Sequence, residues 1–412
     1  MKLLMVYPNP SQHSPSFFTP LSILFAGASY ESQGYDVEYF DMRFDNNPQK
    51  FSRAIKESDA IGVSSMSGSQ LVNAIEIMKY SKQLNPNIKV ILGGPHAKML
   101  PDQCLKEHFV DEVVTEDLGL DTFPFNDRTK KFFKDPYIPI WFTSTGCPHN
   151  CGFCGLEKQW KPKDIDIVLT ELSILHDKLK FKSIDLIDPN IGKREDRLTK
   201  LGEWMRERDV TFHTNIRNDY LDANTCDILD KAKCRSLELG CESGSNRILK
   251  DIIKKGHDVE TTKKAIKNLA KTSISPMCSF MVGVPTEQKE DVIKSMDLVD
   301  WIMKTNKKAR CSFYSYVPYP GTSMMELAKK HQGFKEPKNM HEWSNIQTMS
   351  KHPLYWIAGL CFRKENTAKN FPGSTREIIA PYERLAEKAW EERHWENFPS
   401  EKVEKIINGR SC

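Results

Sequence analysis

The chain of 412 residues contains no apolar run approaching the ~18 residues that would cross a membrane as a helix. With 39% hydrophobic residues it reads as a globular protein rather than a membrane one. It also lacks an excess of one charge: 59 Lys and Arg stand against 55 Asp and Glu, a net +4. That bias is too small to argue for nucleic acid as a partner. No internal repeat or low-complexity tract breaks the pattern. The only apolar start, Met1–Tyr7, is interrupted by Pro8 and Asn9, so it reads as a buried strand and not as an export signal. Cysteine is plentiful but odd in number, at 11. Without a signal peptide, that argues against a disulfide framework and for reduced thiols in a cytoplasm poor in oxygen.

Three of those cysteines, Cys147, Cys151 and Cys154, sit in Thr145-Gly-Cys-Pro-His-Asn-Cys-Gly-Phe-Cys154, a Cys-x3-Cys-x2-Cys spacing. Three thiolates are one short of the four that close a [4Fe–4S] cube, which leaves one iron open to a small ligand. A structural zinc site needs a fourth Cys or His, and His149 inside the loop is the near candidate. The spacing, the aromatic before the last Cys and the strand-like run Ile138–Thr143 upstream resemble the radical S-adenosylmethionine (SAM) superfamily. The resemblance implies that the open iron chelates the amino and carboxylate groups of SAM. An electron from the cluster then releases a 5′-deoxyadenosyl radical.

Length suggests two or three domains. Residues 1–118 alternate short apolar runs with helical stretches. Strands are expected at Lys2–Tyr7, Asp36–Phe40, Ala60–Ser64, Lys89–Leu92 and Glu112–Val114. Helices are expected at Leu21–Gln33, Pro48–Glu57 and Gln70–Leu84, with a short one around Asp102–His108. That rhythm implies a doubly wound α/β domain with a parallel sheet, ligands lying at the carboxyl ends of its strands. The loops there are Pro8-Asn9-Pro10, Ser64-Ser65-Met-Ser-Gly68 and Gly93-Gly94-Pro-His96. Each alone reads as a tight turn. Together, upstream of the three-cysteine motif, they resemble the cobalamin-binding domain of the B12-dependent radical SAM enzymes, whose "GGPHA" run is present as Gly93–Ala97. The resemblance implies contacts to cobalamin from Asn9, Ser64, Ser65, Gly93, Gly94 and His96. The Asp-x-His-x-x-Gly signature of a lower cobalt ligand is absent, as is usual in that group. The acidic stretch after the fifth strand is reduced to Thr115-Glu-Asp-Leu-Gly119. Residues 119–136 read as a polar, solvated linker.

Over residues 137–325 the β-then-α rhythm resumes. Strands are expected at Ile138–Thr143, Ser183–Asp188, Thr211–Asn215, Ser236–Gly240, Ser275–Val282 and Arg310–Tyr316. Six units imply a partial (β/α)6 TIM-like barrel with its chemistry at the carboxyl ends of the strands. Polar residues recur there. Asp188 and Asn190 follow the second strand, Asn215 and Arg217 the third, Glu242 and Ser243 the fourth, and Gly283 and Glu287 the fifth. "GxESG"-like and "GxPxE" runs at those positions are similar to the SAM-binding segments of the family. The resemblance assigns Asp188 to the SAM amino group, Glu242 to ribose or ammonium, and Gly283–Glu287 to the neighbourhood of adenine. Arg217 is suited to pair with the SAM carboxylate. Cys241, Cys278 and Cys311 read as buried core thiols, with a hydrogen donor or radical relay as the alternative.

Residues 326–412 are helical in tendency and aromatic, with His341, Trp343, Tyr355, Trp356, Trp390, His394 and Trp395. The resemblance implies a region covering the barrel. It also implies a cobalamin-dependent methyl transfer from SAM to an unactivated carbon or phosphorus of a small molecule. An electron donor such as a flavodoxin or ferredoxin is expected, with no nucleic acid and no membrane span. The alternatives are radical cyclisation, ring rearrangement or oxidation without methyl transfer, and a non-catalytic sensor. A tRNA methylthiotransferase is disfavoured by the missing second three-cysteine set and the lack of basic excess.

Overall fold

The computed structural model describes residues 1–10, 17–45 and 47–346. They form two compact units, one made of Met1–Ile138 with the segment beginning at Glu336, the other of Pro139–Lys335. Tyr355, Trp356, Trp390, His394 and Trp395 lie outside the described residues.

The first unit is built on five strands: β1 (Lys2–Tyr7), β2 (Asp36–Asp41), β3 (Ala60–Ser64), β4 (Lys89–Gly93) and β5 (Glu112–Val113). Their order is β2-β1-β3-β4-β5, and all pairs are parallel. A parallel sheet is covered on both faces, and its strands are accordingly apolar runs such as Leu3–Val6, all buried. Helix Pro48–Lys56 starts where Asn47 accepts from the Lys50 amide (3.0 Å) and proline fills the first helical position. The order reverses between β1 and β3, so the loops after those strands flank the crevice where such sheets take ligands.

Two expectations for this unit are corrected. The helix expected at Asp102–His108 is replaced by two short ones, Pro95–Met99 and Pro101–Cys104, each opened by its own proline. Residues 119–136 are not a solvated connector: Phe132 and Phe133 are each 2% exposed and pack edge-on against Tyr39 and Phe125. The segment from Glu336 adds helix Met340–Ser344, whose Trp343 is fully buried and accepts a hydrogen bond from the Gly68 amide (3.2 Å).

The second unit holds β6 (Ile140–Trp141), β7 (Ser144–Thr145), β8 (Lys161–Pro162), β9 (Ser183–Leu186), β10 (Thr211–Ile216), β11 (Cys234–Glu242), β12 (Ser275–Val282) and β13 (Arg310–Ser315). Six of them make one parallel sheet in the order β13-β12-β11-β10-β9-β6, an incomplete barrel; β7 and β8 form a separate antiparallel pair. The strand expected at Ile138–Thr143 shrinks to two residues. Ile138 gives its amide to Phe17 and its carbonyl to Thr19, in the first unit, and Pro139 has no N–H to give. Intervening helices begin on side-chain caps: Asp164, Asp222, Asp258 and Thr322 each accept from an amide of the first turn. Along β12 the buried Pro276, Cys278, Phe280 and Val282 alternate with the half-buried Ser275, Met277, Ser279 and Met281. One face of the sheet is therefore core, and the other is polar and partly open.

Candidate cofactor sites

The three-cysteine loop lies between β7 and β8, whose pairing ties its two ends together. Gly146 takes a left-handed φ of +65°, and a Cβ there would sit 1.9 Å from the Gln159 carbonyl oxygen. Only glycine fits this entry to the loop. The Cys147 amide donates to Glu157 O (2.8 Å), the Cys154 amide to Cys151 O (3.1 Å), and the Gly152 amide to Ile253 O (2.7 Å). Cys147, Cys151 and Cys154 are half-buried and none is in a disulfide. Burial holds the Cys154 thiol above its ordinary range, and the neighbouring cysteines add to that. Iron would take that proton off. His149, the candidate fourth zinc ligand, faces Tyr220 Oη instead (3.2 Å). Among the described residues no three His, Cys, Asp or Glu side chains gather closely enough for a single metal ion. A cube, by contrast, spreads its thiolates over separate corners.

The strand ends carry the expected residues, but the structure changes what several of them have free. Asp188 is fully buried: its Oδ2 accepts from the Thr143 amide (2.8 Å), and its Oδ1 from Thr143 Oγ1 and Ser144 Oγ (both 2.7 Å). It ties the end of β9 to the chain leading into the cysteine loop and does not offer a free carboxylate to an amino group. Asn215 donates to Asp188 O (2.9 Å). Asn190 accepts from the Arg217 amide (3.2 Å), while its buried Nδ2 has no partner. Ser243 is buried in the turn after β11, accepting from the Ser245 amide (3.1 Å).

Glu242 has φ +62° and pairs with Lys255 (2.7 Å), both side chains nearly buried. Sequence reasoning missed Lys255. Burial works to lower the pKa of its ammonium, but the Glu242 carboxylate and Cys151 together outweigh this and the net shift is upward. Arg217 is engaged as well: Nε and Nη2 clamp Asp219 (2.9 and 3.0 Å), and Nη2 also donates to Lys255 O (2.7 Å). Its Nη1 lies 3.6 Å from Cys151 Sγ. At the end of β12, Glu287 Oε2 accepts from the Gly283 amide (2.7 Å), and Oε1 is buried without a partner. Burial pushes the Glu287 carboxyl up to about 8, so at neutral pH it is largely protonated and able to donate.

In the first unit, Gly94 has φ +89° and its Cβ position lies 2.7 Å from the Ser65 amide nitrogen. The loops after β3 and β4 thus meet backbone to backbone, with the His96 amide donating to Ser65 O (3.1 Å). Ser64, Gly93 and Gly94 are half-buried there, and Ser65 is buried. The loop after β1 is held from the helix Ser69–Leu84, which follows β3. Gln70 donates to Pro8 O (3.1 Å), and Asn73 to Asn9 O (2.7 Å). His96, for which the resemblance implies a cobalamin contact, is fully buried, with Nδ1 on Ser67 Oγ (2.8 Å) and its ring edge-on to Trp343 at 6.4 Å. Burial pushes its pKa down to about 4, so the ring is neutral. His96 Nε2 and Trp343 Nε1 are both buried without a partner.

Comparison with known proteins sets this geometry in a family. The B12 binding domain matches residues 12–119, and the Radical SAM superfamily matches residues 141–299. The chain belongs to the B12-binding radical SAM enzymes. An uncharacterized methyltransferase of Pyrococcus horikoshii is 24% identical to this radical SAM enzyme, over 80% of this chain and 83% of that one. The cytidylyl-2-hydroxyethylphosphonate methyltransferase of Streptomyces wedmorensis is 21% identical over 86% of each. In fold, the enzyme is similar to the radical SAM methyltransferase TsrM from Kitasatospora setae with cobalamin and a [4Fe–4S] cluster bound. The TM-score is 0.68 at 14% identity, covering 100% and 99% of the two chains. The α/β architecture with two parallel sheets is that of the family, and its cofactors are a [4Fe–4S] cluster, SAM and cobalamin.

The residues of this radical SAM enzyme fit those groups. Three unpaired thiols share one glycine-entered loop, and buried polar atoms of Asn190 and Glu287 are unpartnered at strand ends of the same unit. Cys241, Cys278 and Cys311 are buried, and Cys278 and Cys311 are register partners on the core face of β12 and β13. A hydrogen bond with Cys278, together with burial, holds the Cys241 thiol well above its ordinary range. These three are core thiols turned away from the polar face.

Proposed function

We propose that the enzyme transfers a methyl group from SAM to a carbon or phosphorus atom of a small polar molecule. The observation that carries this reading is the union, in one chain, of a B12-binding unit with a radical SAM unit whose three-cysteine loop adjoins an open strand-end region. When bound, the cluster and SAM supply a 5′-deoxyadenosyl radical, and cobalamin supplies the methyl group.

The chain's own residues bind, orient and exclude water. Cys147, Cys151 and Cys154 would hold the cluster. Asn190 Nδ2, Glu242 and protonated Glu287 are positioned to take the polar groups of SAM. Ser64, Ser65, Gly93, Gly94 and Asn9 line the crevice suited to cobalamin, with His96 supporting that loop from beneath. The half-buried face of the second sheet, with His213, Asn215, Glu238, Ser279 and Tyr314, would bind a substrate rich in hydrogen-bonding groups. Ser279 donates to Glu238 there, which fixes that carboxylate.

A flavodoxin or ferredoxin electron donor, the absence of a nucleic-acid partner and a cytoplasmic location belong to the same proposal. The near-balanced charge supports the absence of a nucleic-acid partner, and the free thiols support the location. Among the described residues no helix is long and apolar enough to cross a membrane.

The test is product analysis of the full chain, loaded anaerobically with iron, sulfide and cobalamin and given SAM with a low-potential reductant. Methyl transfer leaves both S-adenosylhomocysteine and 5′-deoxyadenosine. Formation of 5′-deoxyadenosine alone would move the reading to cyclisation, rearrangement or oxidation.

A further inference from the structure

Arg217 stands at the end of β10 as a candidate partner for a carboxylate, yet its guanidinium is nearly fully engaged. Of its five N–H groups, two clamp Asp219, a third reaches Lys255 O at 2.7 Å, and a fourth points at Cys151 Sγ at 3.6 Å. One N–H on Nη1 remains. A forked grip on a carboxylate needs two parallel donors on different nitrogens, so Arg217 would have to give up Asp219 or the Lys255 carbonyl to make one. The residue is 6% exposed, and Asp219 and the Lys255 carbonyl fix its plane from the side away from the sulfur.

We propose that Arg217 sets how readily the cluster accepts an electron, through a charge-assisted N–H···S hydrogen bond to Cys151, and that it does not bind the SAM carboxylate. The inference rests on the cluster reading above. Reduction adds one negative charge to the cluster and its thiolates. A donor and a buried positive charge at a ligating sulfur stabilise that form more than the oxidised one, which raises the potential. The Lys255 ammonium, buried close by, acts in the same direction, tempered by Glu242. Arg217 is thus a positioning and tuning residue.

The experiment is a mediated reductive titration of the full chain, reconstituted with iron and sulfide in the absence of SAM and followed by the electron paramagnetic resonance of the reduced cluster. Iron content and SAM binding are measured on the same samples. In Arg217→Gln the ratio of reduced to oxidised cluster at a fixed potential should fall at least tenfold, a shift of about 59 mV for one electron. SAM affinity should stay within about threefold, since the residue does not grip that ligand. Arg217→Lys keeps the charge but loses the aimed fork, and should fall by less than Arg217→Gln but more than twofold. A fully loaded Arg217→Gln within twofold of wild type overturns the proposal, as does one whose potential holds while SAM binding collapses. If Arg217→Gln does not take up iron, Arg217→Lys decides on the same twofold limit. An iron-free wild-type chain would instead overturn the cluster reading beneath it.

Discussion

A buried carboxylate serves a cofactor only with oxygens that the fold has not already claimed, and the strand-end acids of the second unit differ in this. Asp188 has both oxygens occupied by Thr143 and Ser144, 45 and 44 residues away in sequence, so no local pattern could have announced its structural role. Glu242 was legible as a site residue; its partner Lys255, 13 residues on, was not. Their ion pair is nearly dry, and removing one partner strands the other. Lys255→Met should therefore cost about 3–5 kcal/mol, and adding Glu242→Gln should return most of it; urea unfolding of the single and double variants checks both. Glu287 titrates in the opposite sense to an exposed acid. Its folded pKa of about 8 lies above the ordinary 4.5, so the folded state keeps a proton that the unfolded chain loses. Its contribution to stability is complete below pH 4.5, declines as pH rises and is gone above pH 8. Relative to Glu287→Gln, the wild type should lose on the order of a few kcal/mol between pH 5 and 8. A difference between the two that does not change with pH in urea unfolding would refute the assignment.

At the scale of elements, the strands and helices were legible because their signals are local. Apolar runs bounded by Gly, Pro and Asn mark the strands, and Asp or Thr caps mark where helices begin. At Ile138–Thr143 the apolar run is continuous, but the hydrogen bonding is divided at Pro139, whose missing donor outweighs the pattern. Residues 119–136 look polar, yet Phe132 and Phe133 find a core that sequence composition cannot reveal. The cysteine loop depends on backbone as much as on thiols. Gly146→Ala would place a methyl 1.9 Å from Gln159 O at a φ that disfavours any side chain. The loop must shift and with it Cys147. Iron bound per chain should drop to less than half of wild type, with far-ultraviolet circular dichroism unchanged. Full iron loading of the variant would mean that the glycine is not what shapes the loop.

For the whole molecule, the two units each have their own parallel sheet and their own apolar core, so damage to one cofactor loop should not spread to the other unit. Cys151→Ala removes one thiol from a half-exposed loop and no core volume. The variant should fold, bind cobalamin at wild-type stoichiometry, lose the cluster absorbance and form no 5′-deoxyadenosine from SAM. Gly94→Val is the complementary change. It forces a β-branched side chain to φ +89° and a Cβ to 2.7 Å from the Ser65 amide, which must part the loops after β3 and β4. It should lose the corrinoid band while keeping wild-type iron and sulfide. Anaerobic absorption spectra with iron, sulfide and cobalt assays on all three proteins read both effects at once. If Gly94→Val kept its cobalamin, the crevice at the ends of β1, β3 and β4 would not be the corrinoid site. If each variant lost both groups, cofactor loading would be cooperative across the chain, and the independence argued from separate cores would fail.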